Sequence, residues 1–193
     1  MVTTFYLDKE WSVTEMHLFT SSISTLYNIA LVLDDNSLRG HFKDYLKEVK
    51  NKNRVSDYNP IHCYEFYEDL QYFLEDSIGD TWHLVIKSIS LSSPGKLIVL
   101  GLKECLDNIK KINELIDEKI ENGDITPKDL EHKKLNESIT TTKNKTSQIS
   151  QDPELGNLNV DFGEDTTLVK DMIDNEIAIF AYLKTTGKIT KVK

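Results

Sequence analysis

The chain has 193 residues, with 23 basic and 32 acidic side chains and a formal net charge of −9. This length suffices for one domain with a hydrophobic core, and the acid excess disfavours nonspecific nucleic-acid binding by the whole surface. Two cysteines, Cys63 and Cys105, are too few for a disulfide scaffold, and Cys105 is expected to be a buried free thiol. Without a secretory segment or an apolar run near ~20 residues, we expect a cytoplasmic protein that does not span a membrane.

The N-terminal region predicts a short strand followed by two helices. Val2–Leu7 is the candidate strand. Ser12 and Glu15 have the spacing of a capping box, and an apolar stripe at helical spacing continues from there to Leu33. The run 34–36 (Asp-Asp-Asn) ends this helix, and Ser37 is expected to cap a second helix that runs to about residue 52.

The second helix carries the clearest charge feature of the sequence. Between residues 39 and 54 there are six basic and two acidic residues, a local net charge of +4. Five of the basic residues follow helical spacing, and we predict that this basic stripe binds a partner: Arg39, Lys43, Lys47, Lys50 and Arg54. Few aromatic residues accompany it, so an acidic protein partner is favoured over nucleic acid. The competing interpretation is that an acidic helix covers the stripe.

That acidic helix is predicted over residues 64–77, where no lysine or arginine occurs. Its apolar positions, including Phe73, are expected to face inward. Glu65, Glu68 and Asp69 share one helical face, which gives an alternative function: a metal-dependent hydrolase or nuclease that uses this carboxylate cluster. Helical metal sites usually add Glu-x-x-His or carboxylates from several helices, and the sequence has no Glu-x-x-His. We therefore expect no cofactor.

The centre of the chain combines an apolar run at 82–91, a Ser-Ser-Pro-Gly turn and a long helical pattern. Apolar residues on both faces of the run predict a strand that is covered on both sides, with Val2–Leu7 as its partner. Ser93 as cap and Pro94 at the first helical position predict that a helix begins directly after the turn. This helix should end at the Asn-Gly pair that contains Gly123.

The residues Ile86-Lys87-Ser88-Ile89-Ser90, the Ser93-Pro94-Gly95 turn and the charged helix after them resemble small uncharacterised bacterial helical proteins with a strand–Ser-Pro-Gly–helix core. The segment Leu183–Ile189 adds to the likeness, which covers about the second half of the chain. The resemblance implies a bacterial or phage origin and a defence or mobile-element neighbourhood. It implies no activity and no site residue.

The C-terminal region predicts a helix hairpin and one last helix. Thr126 and Pro127 restart a helix that is expected to fold back on the central one. Residues 147–165 have the composition of a mobile connection, part of which could dock through four apolar residues: Leu155, Leu158, Val160 and Phe162. A final helix should begin near Asp165 and stop at Thr186-Gly187, before a short edge strand around Ile189.

These patterns predict a mostly α protein, a helical domain with a long helix hairpin and a small two- or three-stranded sheet. Residues 1–146 form the helical core, 147–165 the mobile connection, and 166–193 a helix and strand that pack on the core. No nucleophile–base constellation is visible, so a binding protein is favoured over an enzyme. We expect a non-catalytic interaction or adaptor protein that meets a protein partner, or itself, through helical faces. It would serve in a bacterial or phage defence or counter-defence assembly.

Overall fold

The computed structural model describes residues 1–53, 73, 83–159 and 166–193. Within these residues the helices are α1 (Val13–Asp34), α2 (Asn36–Asn53), α3 (Lys103–Glu121), α4 (Leu135–Thr146) and α5 (Thr166–Thr185). The strands are β1 (Val2–Leu7), β2 (Val85–Ser90), β3 (Gly95–Leu100) and β4 (Ile189–Val192). Short 3-10 helices lie at Pro127–Leu130, Ile149–Gln151 and Pro153–Asn159. The predicted mostly α fold with a small sheet is confirmed, although the sheet has four strands rather than the two or three expected, because the run after the Pro-Gly turn is a strand and not a helix.

The sheet has four strands in the order β2-β3-β1-β4, and every neighbouring pair is antiparallel. Two helix-containing connections, β1 to β2 and β3 to β4, make this the split βαβ arrangement. Thr3, Phe5 and Leu7 of β1 are buried on one face, as are Leu97 and Val99 of β3. The predicted pairing of β1 with the run 82–91 is wrong, because β3 lies between β1 and β2.

The predicted strand–turn–helix at the centre of the chain is also wrong in two respects. The Ser-Ser-Pro-Gly sequence joins two strands of a hairpin, and α3 begins only at Lys103. A Cβ at Gly95 would collide with the carbonyl oxygens of Ser90 and Ser92, so the hairpin needs a residue without a side chain there. Moreover, β2 is an edge strand whose six residues are all exposed, rather than a strand covered on both sides.

Helix α1 forms the centre of the helical layer. The capping box at its start is confirmed: Ser12 Oγ accepts from the backbone N–H of Glu15, and the Glu15 carboxylate accepts from Ser12 N–H. By length and composition α1 could cross a membrane, contrary to the expectation that no stretch qualifies. Buried core helices share these properties, and 67% of its most apolar window is buried in the fold.

The core lies between the sheet and helices α1, α3 and α5. Phe5 on β1 makes edge contacts with Phe19 on α1 and Phe180 on α5, at centroid distances of 5.3 and 6.1 Å. The long helical pattern predicted after the turn is confirmed over α3, whose apolar side chains from Cys105 to Ile116 are buried. Because the same aromatic cluster joins one strand to two helices, the sheet and helical layer form one folded unit.

The chain reverses after α3 at Gly123, whose φ of 78° lies in the left-handed region that glycine tolerates. Thr126 begins a helix as predicted and forms a capping box with Asp129, but this is a short 3-10 helix that ends at Leu130. The next regular helix, α4, packs most extensively on α5 rather than on α3. The second arm of the predicted hairpin is therefore divided, and its longer part meets a different helix.

Within the predicted mobile connection, Ile149–Gln151 and Pro153–Asn159 are the last two 3-10 helices, and Val160 and Phe162 lie outside the described residues. Ile149, Leu155 and Leu158 are buried there, so part of this segment docks on the core. Helix α5 then begins at Thr166, close to the predicted start. Gly187, at φ 76°, follows the end of α5, and β4 is an edge strand as predicted.

Candidate protein-interaction surface

The structure places the members of the basic stripe in different environments. Arg39 is half-buried, and its guanidinium donates to the backbone oxygen of Leu33 at the end of α1. Lys43 is half-buried, whereas Lys47 is exposed and lies 3.5 Å from Asp44 Oδ1. Lys50 belongs to α2, but its side chain and all of Arg54 lie outside the described residues. Partner binding by the stripe stays a prediction.

Most of the predicted acidic helix, including Glu65, Glu68 and Asp69, lies outside the described residues. Phe73 is described, and it is half-buried. Its ring stacks on Tyr45 at 4.8 Å between centroids and lies 6.0 Å from the ring of Phe42. Residue 73 therefore packs on the apolar face of α2. Among the residues that the structure describes, no group of three or more His, Cys, Asp or Glu could hold a metal ion.

A second charged surface is formed by the sheet. Its four strands contain no aspartate or glutamate, although the whole chain has a net charge of −9. Their charged side chains are the exposed Lys87, Lys96 and Lys191, and Lys193 follows directly. The ammonium groups of Lys96 and Lys193 lie 5.3 and 5.8 Å from the ring centroid of Tyr6. The outward face of the sheet is therefore a positive region of an acidic protein.

Exposed aliphatic side chains accompany Lys87 at the β2 edge. Val85, Ile86, Ile89 and Leu91 are each between 46% and 49% exposed. Val85 is paired with Leu100 on the outward face, whereas Ile86 is paired with the buried Val99 on the helical face. Apolar side chains are consequently accessible on both sides of the same strand. Contiguous exposed apolar surface with a polar rim is typical of interaction sites.

A small cleft lies beside β2 on the helical side of the sheet, with a volume of about 60 Å³. It is lined by Thr20, Ile23 and Ser24 of α1 and by Leu84, Ile86, Leu97 and Val99. Helix α1 presents two small polar side chains here, Thr20 and Ser24, and Ile86 is left about half exposed. The cleft is open to solvent and has room for a short aliphatic side chain.

Titratable groups elsewhere in the described chain do not converge on a reaction site. Burial raises the pKa of the Cys105 thiol to about 12, which leaves it protonated and unreactive at neutral pH. His17 is exposed on α1. Burial also raises the pKa of Asp174, while a hydrogen bond from Ser150 opposes that rise. The predicted buried free thiol at Cys105 is confirmed.

The β2 edge was not identified from the sequence, although two signals pointed to it. A Pro-Gly turn between two apolar runs is typical of a hairpin as well as of a helix start. The lysine and serines within the run 85–90 also suit exposure better than burial on both sides. No protein-family model, curated protein or solved structure matches this chain.

Proposed function

We propose that the protein is a non-catalytic protein-interaction module that binds its partner through the β2 side of the sheet. One observation carries this proposal: four aliphatic side chains at this edge are about half exposed. Fully burying an aliphatic side chain contributes about 1.5–3 kcal/mol, and a partner that covers the exposed half of these four side chains would gain about half of that for each.

Charge defines the kind of partner surface. The strands carry lysines and no carboxylate, whereas the protein as a whole is acidic. An acidic partner surface would be attracted to the sheet side and repelled by much of the remaining surface, which selects the binding orientation. The sequence favoured helical faces as the main contact with the partner, whereas the proposed contact is the sheet. The basic stripe of α2 remains a separate predicted contact.

The resemblance to bacterial helical proteins supports a more specific setting. We place the module in the cytoplasm, as an adaptor subunit of a bacterial or phage defence or counter-defence assembly. Subunits of such assemblies are commonly encoded together, so the products of neighbouring genes are the first partners to test. Copurification of a neighbouring gene product with the wild-type protein, lost on charge reversal at Lys87, is the expected result.

Site-specific photocrosslinking tests the surface itself. A benzophenone amino acid is placed at Val85, which is 49% exposed on β2, or at Val13, which is 89% exposed at the start of α1. In cells that carry the gene natively, we expect a crosslinked partner from position 85 and none from position 13. The two valines are matched in residue type, and the control is the more accessible. Crosslinks of equal yield, or none at position 85, would contradict the proposed surface.

A further inference from the structure

We propose that β2 accepts an extended acidic segment of the partner as a fifth strand of the sheet. This inference rests on the proposed function and adds the mode of binding and the chemistry of the ligand. An added strand forms main-chain hydrogen bonds along the sheet edge, and its alternate side chains enter pockets on the two faces. The β2 edge offers both features.

The first argument is the open backbone of β2. Within the described part of the chain, β2 pairs with β3 alone, so the main-chain groups on its other side have no strand partner. Such edges are normally guarded by short strands, charged side chains or a covering element. At the opposite edge, β4 has four residues and is followed directly by Lys193. In contrast, β2 has six residues with a single lysine, Lys87, which lies at a register shift between Ile86 and Ser88. A bulge of this kind is a partial guard of an edge, but the pairing with β3 is regular on both sides of it.

The second argument is the cleft on the helical side. Ile86 and Ile89 pair with Val99 and Leu97, which are buried, yet remain 49% and 46% exposed themselves. The helical face of the sheet is therefore buried at β3 but about half exposed at β2, where α1 covers it only in part. A strand placed next to β2 would direct every second side chain toward this cleft. Short aliphatic side chains fit its apolar lining and its volume of about 60 Å³.

The third argument is charge, which identifies the occupant. Lys96 lies on the outward face opposite Ser90, and Lys87 is exposed within β2. Acidic residues at the alternate positions of an added strand would meet these lysines. A second copy of this chain fits less well, because two antiparallel β2 strands would place a lysine on each side of the new seam and no carboxylate to pair with either. Two copies, each with a net charge of −9, also repel one another.

Synthetic peptides test the proposal with the full-length protein. One pool of seven-residue peptides alternates Val, Ile or Leu with Asp or Glu, and a matched pool carries Lys or Arg in the acidic positions. We expect the acidic pool to bind at least tenfold more tightly, with an affinity that falls as salt rises. Lys87→Glu should remove this preference, whereas Lys103→Glu on α3 should preserve it. Acidic peptides that bind no better than basic ones would overturn the proposal.

Backbone methylation of the strongest peptide then distinguishes strand addition from contact through side chains alone. Methyl groups on alternate amides remove the donors along one edge of the peptide and leave the other edge intact. Two methylated peptides are compared, one with methyl groups on the odd-numbered amides and one on the even-numbered amides. We expect one of them to bind at least tenfold more weakly than the unmethylated peptide and the other to bind with the same affinity. Hydrogen exchange of the amides at 85–90 should slow only with the peptide that binds.

The alternative outcomes separate this inference from the proposed function. Equal affinity for both methylated peptides overturns strand addition, while crosslinking at Val85 would still support a protein-interaction surface. Absence of crosslinking at Val85 contradicts the surface as a whole. A dimeric mass by light scattering, with slowed exchange at 85–90 before any peptide is added, identifies a second copy as the occupant and overturns the acidic ligand.

Discussion

Gly101 lies between β3 and α3, against the ring of the fully buried Tyr27. The Tyr27 hydroxyl accepts a hydrogen bond from the backbone N–H of Leu102 at 2.9 Å, one residue before α3 begins. A Cβ at position 101 would lie 2.5 Å from the Tyr27 ring carbon Cε2. This ring is enclosed by the core, so the junction between strand and helix requires a residue without a side chain.

Replacing Gly101 with alanine should therefore destabilise the protein. We expect Gly101→Ala to lower the free energy of unfolding by about 1–3 kcal/mol, the usual cost of overpacking a core. Gly40→Ala in α2 is the matched control, because no atom lies within 4 Å of its added Cβ. Alanine should raise the stability there by about 0.5–1 kcal/mol. Urea denaturation measures both, and changes of the same sign would contradict this account.

Asp129 gives the stability a defined pH dependence. Hydrogen bonds from Lys145 and Thr126 hold the pKa of its carboxyl at about 2, below the usual 3.8. A depressed folded pKa stabilises the protein above the unfolded pKa, and this contribution is lost as pH falls through the folded value. Asp129→Asn should consequently lower Tm at pH 6, and the difference from wild type should shrink between pH 4 and pH 2. A constant difference would show that the carboxylate charge is not responsible.

At the scale of elements, a polar contact joins α5 to α3 within the core. Lys184 on α5 is buried, and its ammonium group donates to Asp117 Oδ1 and to Asn113 Oδ1 on α3. Asn113 also donates to Asp117 Oδ2 at 3.0 Å. Burial lowers the pKa of Lys184, and the interaction with Asp117 opposes this shift. The buried cation therefore depends on its partners on the neighbouring helix.

The two ends of this contact should respond differently to substitution. Asp117→Ala leaves a buried ammonium group with one partner fewer, and we expect a loss of about 1–3 kcal/mol, reduced by the partial exposure of Asp117. Lys184→Met removes the charge and keeps much of the side-chain volume, so its effect should be smaller. Guanidinium denaturation compares the variants. A larger loss for Lys184→Met would mean that the ion pair itself stabilises the fold.

Helix α2 provides a separate prediction about binding. If the basic stripe contacts an acidic partner, Lys43→Glu/Lys47→Glu should weaken partner affinity at least tenfold at low salt and flatten its salt dependence. The measurement is a titration of the partner identified by crosslinking, with Lys103→Glu/Lys110→Glu on α3 as the matched reversal. Unchanged affinity together with reduced stability would show that the stripe is internal scaffolding.

At the scale of the whole molecule, the 3-10 helix Pro153–Asn159 before α5 packs against the helical layer. Leu155 and Leu158 are 0% and 2% exposed, and their 3-10 helix contacts both α1 and α3. Docking of this kind opposes local opening, because each opening would expose apolar side chains to water. The composition of residues 147–165 alone predicts a mobile segment, whereas Leu155 and Leu158 are buried in the structure.

Limited proteolysis tests this docking. We expect the wild-type protein to resist cleavage within 149–158, whereas Leu155→Ala should be cut there at least tenfold faster. The substitution should also cost about 2–5 kcal/mol, as in other buried leucine truncations. Thr167→Ala, at an exposed position of α5, serves as a control for general effects on cleavage. Cleavage of the wild-type protein first within 149–158 would support the mobile connection instead.

The sequence by itself determined the features that depend on neighbours along the chain. The capping box at Ser12, the helix end at Gly123 and the start of α5 involve contacts within a few residues, so spacing and residue type predict them. The mostly α class followed from the same local patterns. The acidic overall charge and the buried thiol at Cys105 could also be read in this way.

Only the tertiary structure decided the features that depend on distant residues. A run such as 85–90 has the same local pattern whether it is a central or an edge strand. Its place at the edge follows from β3, which pairs with β1 along the six residues of each strand and leaves only its other side for β2. The candidate site depends on this choice, because in the described part of the chain no strand lies on the outer side of β2, which leaves Ile86 half exposed beside the cleft. Local periodicity does not contain this information, since the exposure of a strand depends on which other strands lie next to it in the sheet.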